Sequence, residues 1–328
     1  NVSAHVSIWY AIAAIVLGAK PLSEKASRLA FFLYILFLQL ASAHHLLVDP
    51  GVSSEWKIFN TSYAMYLAVL GSMIHALTVP GTIEAAQRKR GFNKGMFEWL
   101  RKAPWGNPAF SGMFMSVVMF GFLGGISGVV MGTEQINLII HNTIYVPGHF
   151  HATVVAGTTL TFMAVTYLLI PLVLQREIMF PRLAKYQTYV FAIGVSGISL
   201  FMMGAGTLGI PRRVWDVTMS DALFPYQFPA AAFLMLTLNG IFAIMAAVGG
   251  VMYVVNVVAS TFWGRKTADA PKTQKASPPL AAPARVAVGT YGSAETLYIP
   301  GTIVLLSIFF VSFVLYYYVN WKYLAEVW

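Results

Sequence analysis

The sequence lacks cysteine altogether. That excludes a disulfide framework, a zinc–thiolate site, a thiolate haem ligand and an iron–sulfur cluster built from this chain. It is also poor in charge. Only 10% of its 328 residues are Asp, Glu, Lys or Arg, against about 25% in a soluble domain. A soluble fold of this length has no way to make a water-facing surface from so few charges. Acidic residues are the scarcer kind, 12 against 21 basic ones, for a net charge of +9. In a chain this apolar the excess fits basic cytoplasmic loops, and nucleic acid is not expected as a partner. Internal repeats, a phosphate-binding loop and a dinucleotide fingerprint are absent as well.

What is abundant is hydrophobic length. Hydrophobic residues make up 58% of the chain and aromatics 14%, with a mean hydropathy of +0.68. A membrane-crossing helix needs about 20 mostly apolar residues. Eight segments qualify in outline: Ala4–Ala19, Leu29–Val48, Thr61–Val79, Ala109–Met131, Asn142–Leu174, Thr188–Leu208, Ala230–Ser260 and Tyr298–Val319. The expected fold is an all-α, polytopic transmembrane bundle of about eight spans in a lipid bilayer. Residues 1–263 form the bundle, 264–294 a Pro-, Ala- and Lys-rich flexible cytoplasmic linker, and 295–328 a final transmembrane helix. The first segment is short, and it reads as the later part of a longer polypeptide or half of a split subunit.

Alternate loops are basic: Lys20, Lys25 and Arg28; Arg88 to Lys102; Arg176, Arg182 and Lys185; and the linker with Arg265 and Lys266. The positive-inside rule puts these in the cytoplasm and both chain ends outside. Arg212 and Arg213, in an Ile-Pro-Arg-Arg turn, fall on the opposite side. Two adjacent guanidiniums there suggest a bound anion, the alternative being a solvated pair.

The seven histidines, His5, His44, His45, His75, His141, His149 and His151, all lie in or beside apolar segments. Within these eight segments no Asp or Glu stands at mid-membrane depth. Ionisable residues there point to function, although a lone His also serves as an inter-helix hydrogen-bonder. Imidazole binds haem iron and copper without bringing negative charge into hydrocarbon. On an α-helix, His149 and His151 are separated by roughly 200° and face opposite sides, which suits two separate cofactors flanking one helix. His44 and His45, roughly 100° apart, can converge on one metal set off the helix. His5 begins the preceding segment at matching depth, so three imidazoles from two helices suit copper or non-haem iron with an open position.

These residues resemble subunit I of the haem–copper oxidase superfamily, in its B-type branch. The resemblance rests on His141-Asn142-Thr143 and Val146-Pro147-Gly148-His149-Phe150-His151, on His44-His45 followed by Asp49-Pro50-Gly51, on Trp56-Lys57, on Pro104 to Phe110, and on Pro211-Arg212-Arg213. It implies that the spans are the later helices of that subunit, with the first low-spin haem ligand supplied by the polypeptide carrying the earlier ones. It further implies two haems and a copper. His149 would hold the high-spin haem iron and His151 the low-spin one. His5, His44 and His45 would hold copper. Arg212 and Arg213 would pair with haem propionates, with His141 nearby, and Asn137 stands where the branch often has Asp. The implied reaction is dioxygen reduction to water, coupled to proton movement, in a prokaryotic cell membrane. The implied partners are a subunit II-like electron-input subunit and a cytochrome c-like or quinol donor.

Two departures qualify this expectation. Oxygen-reducing relatives carry a Tyr one turn after the first copper ligand, bonded to it; here that position is Trp9, and Tyr10 follows on another face. Either the helix bulges to bring Tyr10 round, or the phenol is missing. Ser72, His75 and Thr78, spaced by three, read either as a proton path like the family's or as inter-helix hydrogen-bonders. These departures keep nitric oxide reductase open as a second activity, with non-haem iron in place of copper. A transporter or a cofactor-free structural subunit would be the non-enzymatic alternatives.

Overall fold

A computed structural model describes the backbone of residues 2–221, 223–224, 226–267 and 298–327. Side chains are described for the same residues except 2, 3, 42, 44, 316, 317 and 319–327. Among the described residues the architecture is helical, with only two isolated β-bridges. We number the helices α1 (Val2–Leu17), α2 (Glu24–Ala41), α3 (Ser54–Lys89), α4 (Glu98–Arg101), α5 (Pro108–Met131), α6 (Glu134–Ile140), α7 (Tyr145–Val173), α8 (Pro181–Thr207), α9 (Ala230–Trp263) and α10 (Pro300–Val327). The eight long ones coincide with the eight apolar segments. Five of them, α3, α5, α7, α8 and α9, are long and apolar enough to cross a membrane, and α1 and α10 contain shorter apolar stretches.

Helix starts follow from local chemistry. The Asn107 side chain accepts from the backbone N–H groups of Ala109 (2.9 Å) and Phe110 (3.2 Å), and Pro108 occupies the first turn of α5, where no N–H is needed. Pro181 and Pro300 open α8 and α10 in the same way. Gly18 stops α1 in the left-handed region, at φ 58°. Helices α8 and α9 make the most extensive pairing. Their axes approach closely because Gly194 faces the backbone of Ala246 and Gly249 faces that of Phe191, leaving no room for a side chain. Helix α1 packs against α3, α5 and α7, and α10 lies along α3.

The boundaries of the second and third segments differ from the sequence expectation. The second segment does not stay α-helical to Val48: α2 stops at Ala41 and Ser42–His45 is a 3₁₀ turn. Successive residues of the backbone there turn by about 120° instead of 100°. The third segment runs ten residues past Val79, to Lys89, across Pro80. That extension carries a carboxylate the expectation had missed. Glu84 is fully buried within α3, and its pairing explains how. Glu84 accepts from Arg88 Nε at 2.8 Å and from the backbone N–H groups of Gly301 (3.1 Å) and Thr302 (2.6 Å) at the start of α10. The linker expectation falls mostly on residues 268–297, outside the described residues.

Glu84→Ala leaves Arg88 buried without its partner and strips the cap from α10. Losing one member of a buried pair costs about 3 kcal/mol or more. Thermal unfolding of the purified protein in detergent is expected to show the loss, while Glu24→Ala, in an exposed pair with Arg28, leaves the transition in place.

Candidate functional site

His5, His75 and His149 lie where α1, α3, α5 and α7 meet, and His45 reaches His149 from the turn after α2. His149 closes the first stretch of α7 and is buried. Its Nδ1 lies 2.8 Å from Ser127 Oγ on α5. The Ser127 hydroxyl donates to the carbonyls of Leu123 and Gly124, so its oxygen accepts and Nδ1 of His149 carries the proton. That leaves Nε2 as the lone-pair nitrogen, the form a metal requires. His151 obeys the same logic: Nδ1 donates to the Pro147 carbonyl at 2.8 Å. The two imidazoles are thus oriented by different neighbours, α5 for one and their own helix for the other.

His45 meets His149 with ring centroids 6.0 Å apart, and both line a cavity of about 300 Å³ with Phe120, Gly124, Gly128 and Thr153. Gly128 is required by this contact, since a Cβ there would stand 3.0 Å from Cε1 of the His149 ring. His5 is fully buried on α1. Its Nδ1 lies 2.9 Å from Thr158 Oγ1, and its ring packs on Phe120 at 4.6 Å. Phe120 therefore stands between His5 and the cavity. His5 Nε2 is buried with no hydrogen-bond partner, an arrangement that costs free energy unless something else binds the nitrogen. The side chain of His44 lies outside the described residues. Among the described residues no three His, Asp or Glu side chains converge as a closed metal site.

The helix α1 is regular throughout, with no bulge to bring Tyr10 round to His5. Trp9 sits against His5, with ring centroids 4.7 Å apart. Tyr10 instead points at α3, where its hydroxyl lies 3.0 Å from His75 Nδ1 and 2.5 Å from Thr78 Oγ1. Ser72 belongs to the same stripe and lines both the cavity beside His149 and a second, almost wholly apolar cavity of about 320 Å³ that reaches His75 and Trp9. Sequence spacing had found the stripe on α3 but not its phenol partner on α1.

At one end of this cluster the chain is tied by polar contacts. His141 Nε2 donates to Asp49 Oδ1 at 2.9 Å, joining the end of α6 to the loop after His45. Arg212 Nη2 and Nε donate to Asn142 Oδ1 at 2.8 and 3.2 Å, and the Arg212 N–H bonds the Asn142 carbonyl. Thr143 pairs with Pro211 in an antiparallel bridge. Arg213 is exposed with φ 63°, a left-handed conformation uncommon for a side chain of its kind. Asn137 Nδ2 donates to the Met131 carbonyl at 2.6 Å. In the following loop, the hydroxyls of Ser220 and Thr218 hold the Asp216 carboxyl well below the usual range.

The family model described as cytochrome c and quinol oxidase polypeptide I matches residues 2–252. The chain belongs to this family. It is 32% identical over 257 residues to cytochrome c oxidase subunit 1 of Thermus thermophilus, covering 77% of this chain and 44% of that relative. It is 28% identical over 170 residues to a probable quinol oxidase subunit 1 of Staphylococcus aureus, covering 51% of this chain and 24% of the relative. A solved haem–copper terminal oxidase dimer superposes with a TM-score of 0.69 at 27% identity, covering 95% of this chain and 54% of that one. The chain thus spans about half the length, or less, of these relatives.

The residues fit the two kinds of group associated with this family. The donor set is imidazole alone, the second nitrogens of His149 and His151 are tied in the ligating form, the glycines clear space beside His149, and His5 keeps an unpaired nitrogen in a dry setting. Gly128→Val would push β-branched atoms into the His149 ring. If His149 holds a haem, the purified protein is expected to lose that haem's absorbance while keeping its fold by circular dichroism.

Proposed function

We propose that this chain carries the haem and non-haem metal ligands of a membrane terminal oxidase that reduces dioxygen to water. The observation that supports this most is the meeting of His45 and His149 on one glycine-lined cavity, with His5 one aromatic ring away. His149 would hold a high-spin haem iron, His151 a low-spin one, and His5, His44 and His45 a copper. When bound, the low-spin haem supplies electrons and the high-spin haem with the copper supplies the place where the gas is reduced. The relatives named above are oxidase subunits, which favours dioxygen as the substrate.

The chain's own residues divide the remaining work. Ser127 and Pro147 keep protons on Nδ1 of the two haem-binding imidazoles. Arg212 and Arg213, with His141 beside them and Asn137 a turn earlier, stand ready to pair with propionates. The Tyr10 hydroxyl bonds His75 and Thr78, Ser72 stands one turn earlier on the same face of α3, and Ser72, His75 and Thr78 would together make a stripe able to pass protons within the bundle. The setting is a prokaryotic cell membrane, with both chain ends outside by the positive-inside rule. The partners are the polypeptide bearing the earlier helices, a subunit II-like electron-input subunit, and a cytochrome c-like or quinol donor.

A second reading, reduction of nitric oxide to nitrous oxide with non-haem iron in the copper position, is favoured by one specific observation. The residue packed on His5 is an indole, and the nearby phenol of Tyr10 is engaged on the opposite side with His75. Two-electron chemistry has less need of a phenol beside the metal.

Turnover of the purified complex, followed by an oxygen electrode and by gas chromatography for nitrous oxide, separates the readings. Oxygen uptake is expected; nitrous oxide production without it gives the second reading instead. Reduced-minus-oxidised spectra of His151→Ala are expected to lose the low-spin bands, and those of His149→Ala the carbon monoxide-sensitive ones. A complex without haem bands overturns both readings.

A further inference from the structure

Helix α1 lies directly on the stretch of α7 that follows His149 and His151, and the contact is unusually polar for a membrane interior. His5 is held on three sides. Thr158 Oγ1 engages its Nδ1 at 2.9 Å, Phe120 covers it edge-on at 4.6 Å, and Trp9 covers it at 4.7 Å with planes inclined by 36°. A ring with packed surfaces and one anchored nitrogen has a single orientation available.

Trp9 is itself fixed. It is 3% exposed. Its Nε1–H donates to Thr161 Oγ1 at 2.8 Å, with Ser116 Oγ at 3.3 Å. Both hydroxyls donate onward to the Gly157 carbonyl, each at 2.7 Å. The indole therefore ends on the backbone of the helix that presents His149 and His151. An indole N–H is not an acid near neutral pH, so this residue holds geometry and does not supply protons.

From this geometry we infer that Trp9 is the positioning residue of His5: it fixes the His5 ring at the non-haem metal site relative to the haem-binding helix, through Thr161 and Ser116. This rests on the reading of His5 as a metal ligand. Trp9 transmits the position of α7 to His5 by stacking at one end and a hydrogen bond at the other. A residue of merely adequate volume would fill the space without setting the angle.

The test uses the intact complex carrying Trp9→Phe, which keeps a ring against His5 and removes the N–H, and separately Thr161→Val and Thr161→Ser. The readouts are non-haem metal per haem during dialysis against a chelator, and the infrared stretch of carbon monoxide bound to the reduced haem. Loss of a partner that orients a metal-binding His costs about tenfold or more in metal affinity. Trp9→Phe and Thr161→Val are each expected to weaken metal retention by about that factor and to shift or broaden the carbon monoxide band, with haem content unchanged. Thr161→Ser keeps the acceptor and is expected to behave as the parent, and the Phe/Val double variant to be no worse than either single one. Parental retention and an unshifted band in Trp9→Phe overturn the inference. If that variant does not assemble, Thr161→Val decides alone, and parental behaviour there overturns it equally. A parent complex with haem but no non-haem metal overturns the reading of His5 and the inference together.

Discussion

An imidazole placed in hydrocarbon must have its second nitrogen spoken for, and that requirement organises this bundle. Water is not there to satisfy it, and an unpaired polar group at membrane depth is costly. His149 is answered by Ser127, His151 by the Pro147 carbonyl, His5 by Thr158 and His75 by Tyr10. Each answer comes from a hydroxyl or carbonyl that is neutral, so the histidines are oriented without adding charge. A ring tied at one nitrogen presents the other in a fixed direction, and this turns a packing necessity into a set of candidate ligands.

The helices that supply those answers are not uniform. Helices α3, α5 and α7 each contain a π-helical stretch: Phe59–Ala64, Phe120–Gly125 and His151–Thr159. A wider turn inserts a residue and rotates everything beyond it relative to a straight α-helix. The second and third stretches meet at the histidine cluster, where Phe120, Gly124 and Thr153 line the cavity and Thr158 reaches His5. The rotation lets α7 offer His149 to α5 and Thr158 to α1 within about three turns. Such stretches frequently mark functional sites, and here two of the three coincide with the histidine-bearing region.

Much of this was legible in advance because hydrophobic length is written directly in residue order. The eight long helices fall on the eight apolar segments, and the stripe Ser72, His75, Thr78 could be counted at helical spacing. The facing partners could not be counted. Nothing in the order of residues says that Tyr10 meets α3 while Trp9 meets α7; that depends on how α1 is rotated in the bundle. The turn at His44–His45 was also hidden, since an apolar run does not reveal where an α-helix tightens into 3₁₀ geometry. Nor does a local pattern announce π-helical stretches, which arise from packing between helices.

Glu84 shows why residue type at membrane depth is an incomplete guide to role. A buried carboxylate in a family of redox membrane proteins invites the idea of a proton carrier or of an extra ligand for a non-haem metal. Its surroundings argue otherwise. It accepts from Arg88 and from two N–H groups at the start of α10, where the helix dipole favours negative charge. Arg88 is in turn held by the carbonyls of Gly95 and Met96 and lies 5.1 Å from the Tyr298 ring. A carboxylate with both oxygens directed at these donors is committed to the joint between α3 and α10. It also stands nine residues beyond His75 on the same helix, about 13 Å along the axis, on the side away from Ser72. The charge is therefore the fastening of α10 to α3, and the histidine cluster keeps a donor set of imidazoles and hydroxyls alone.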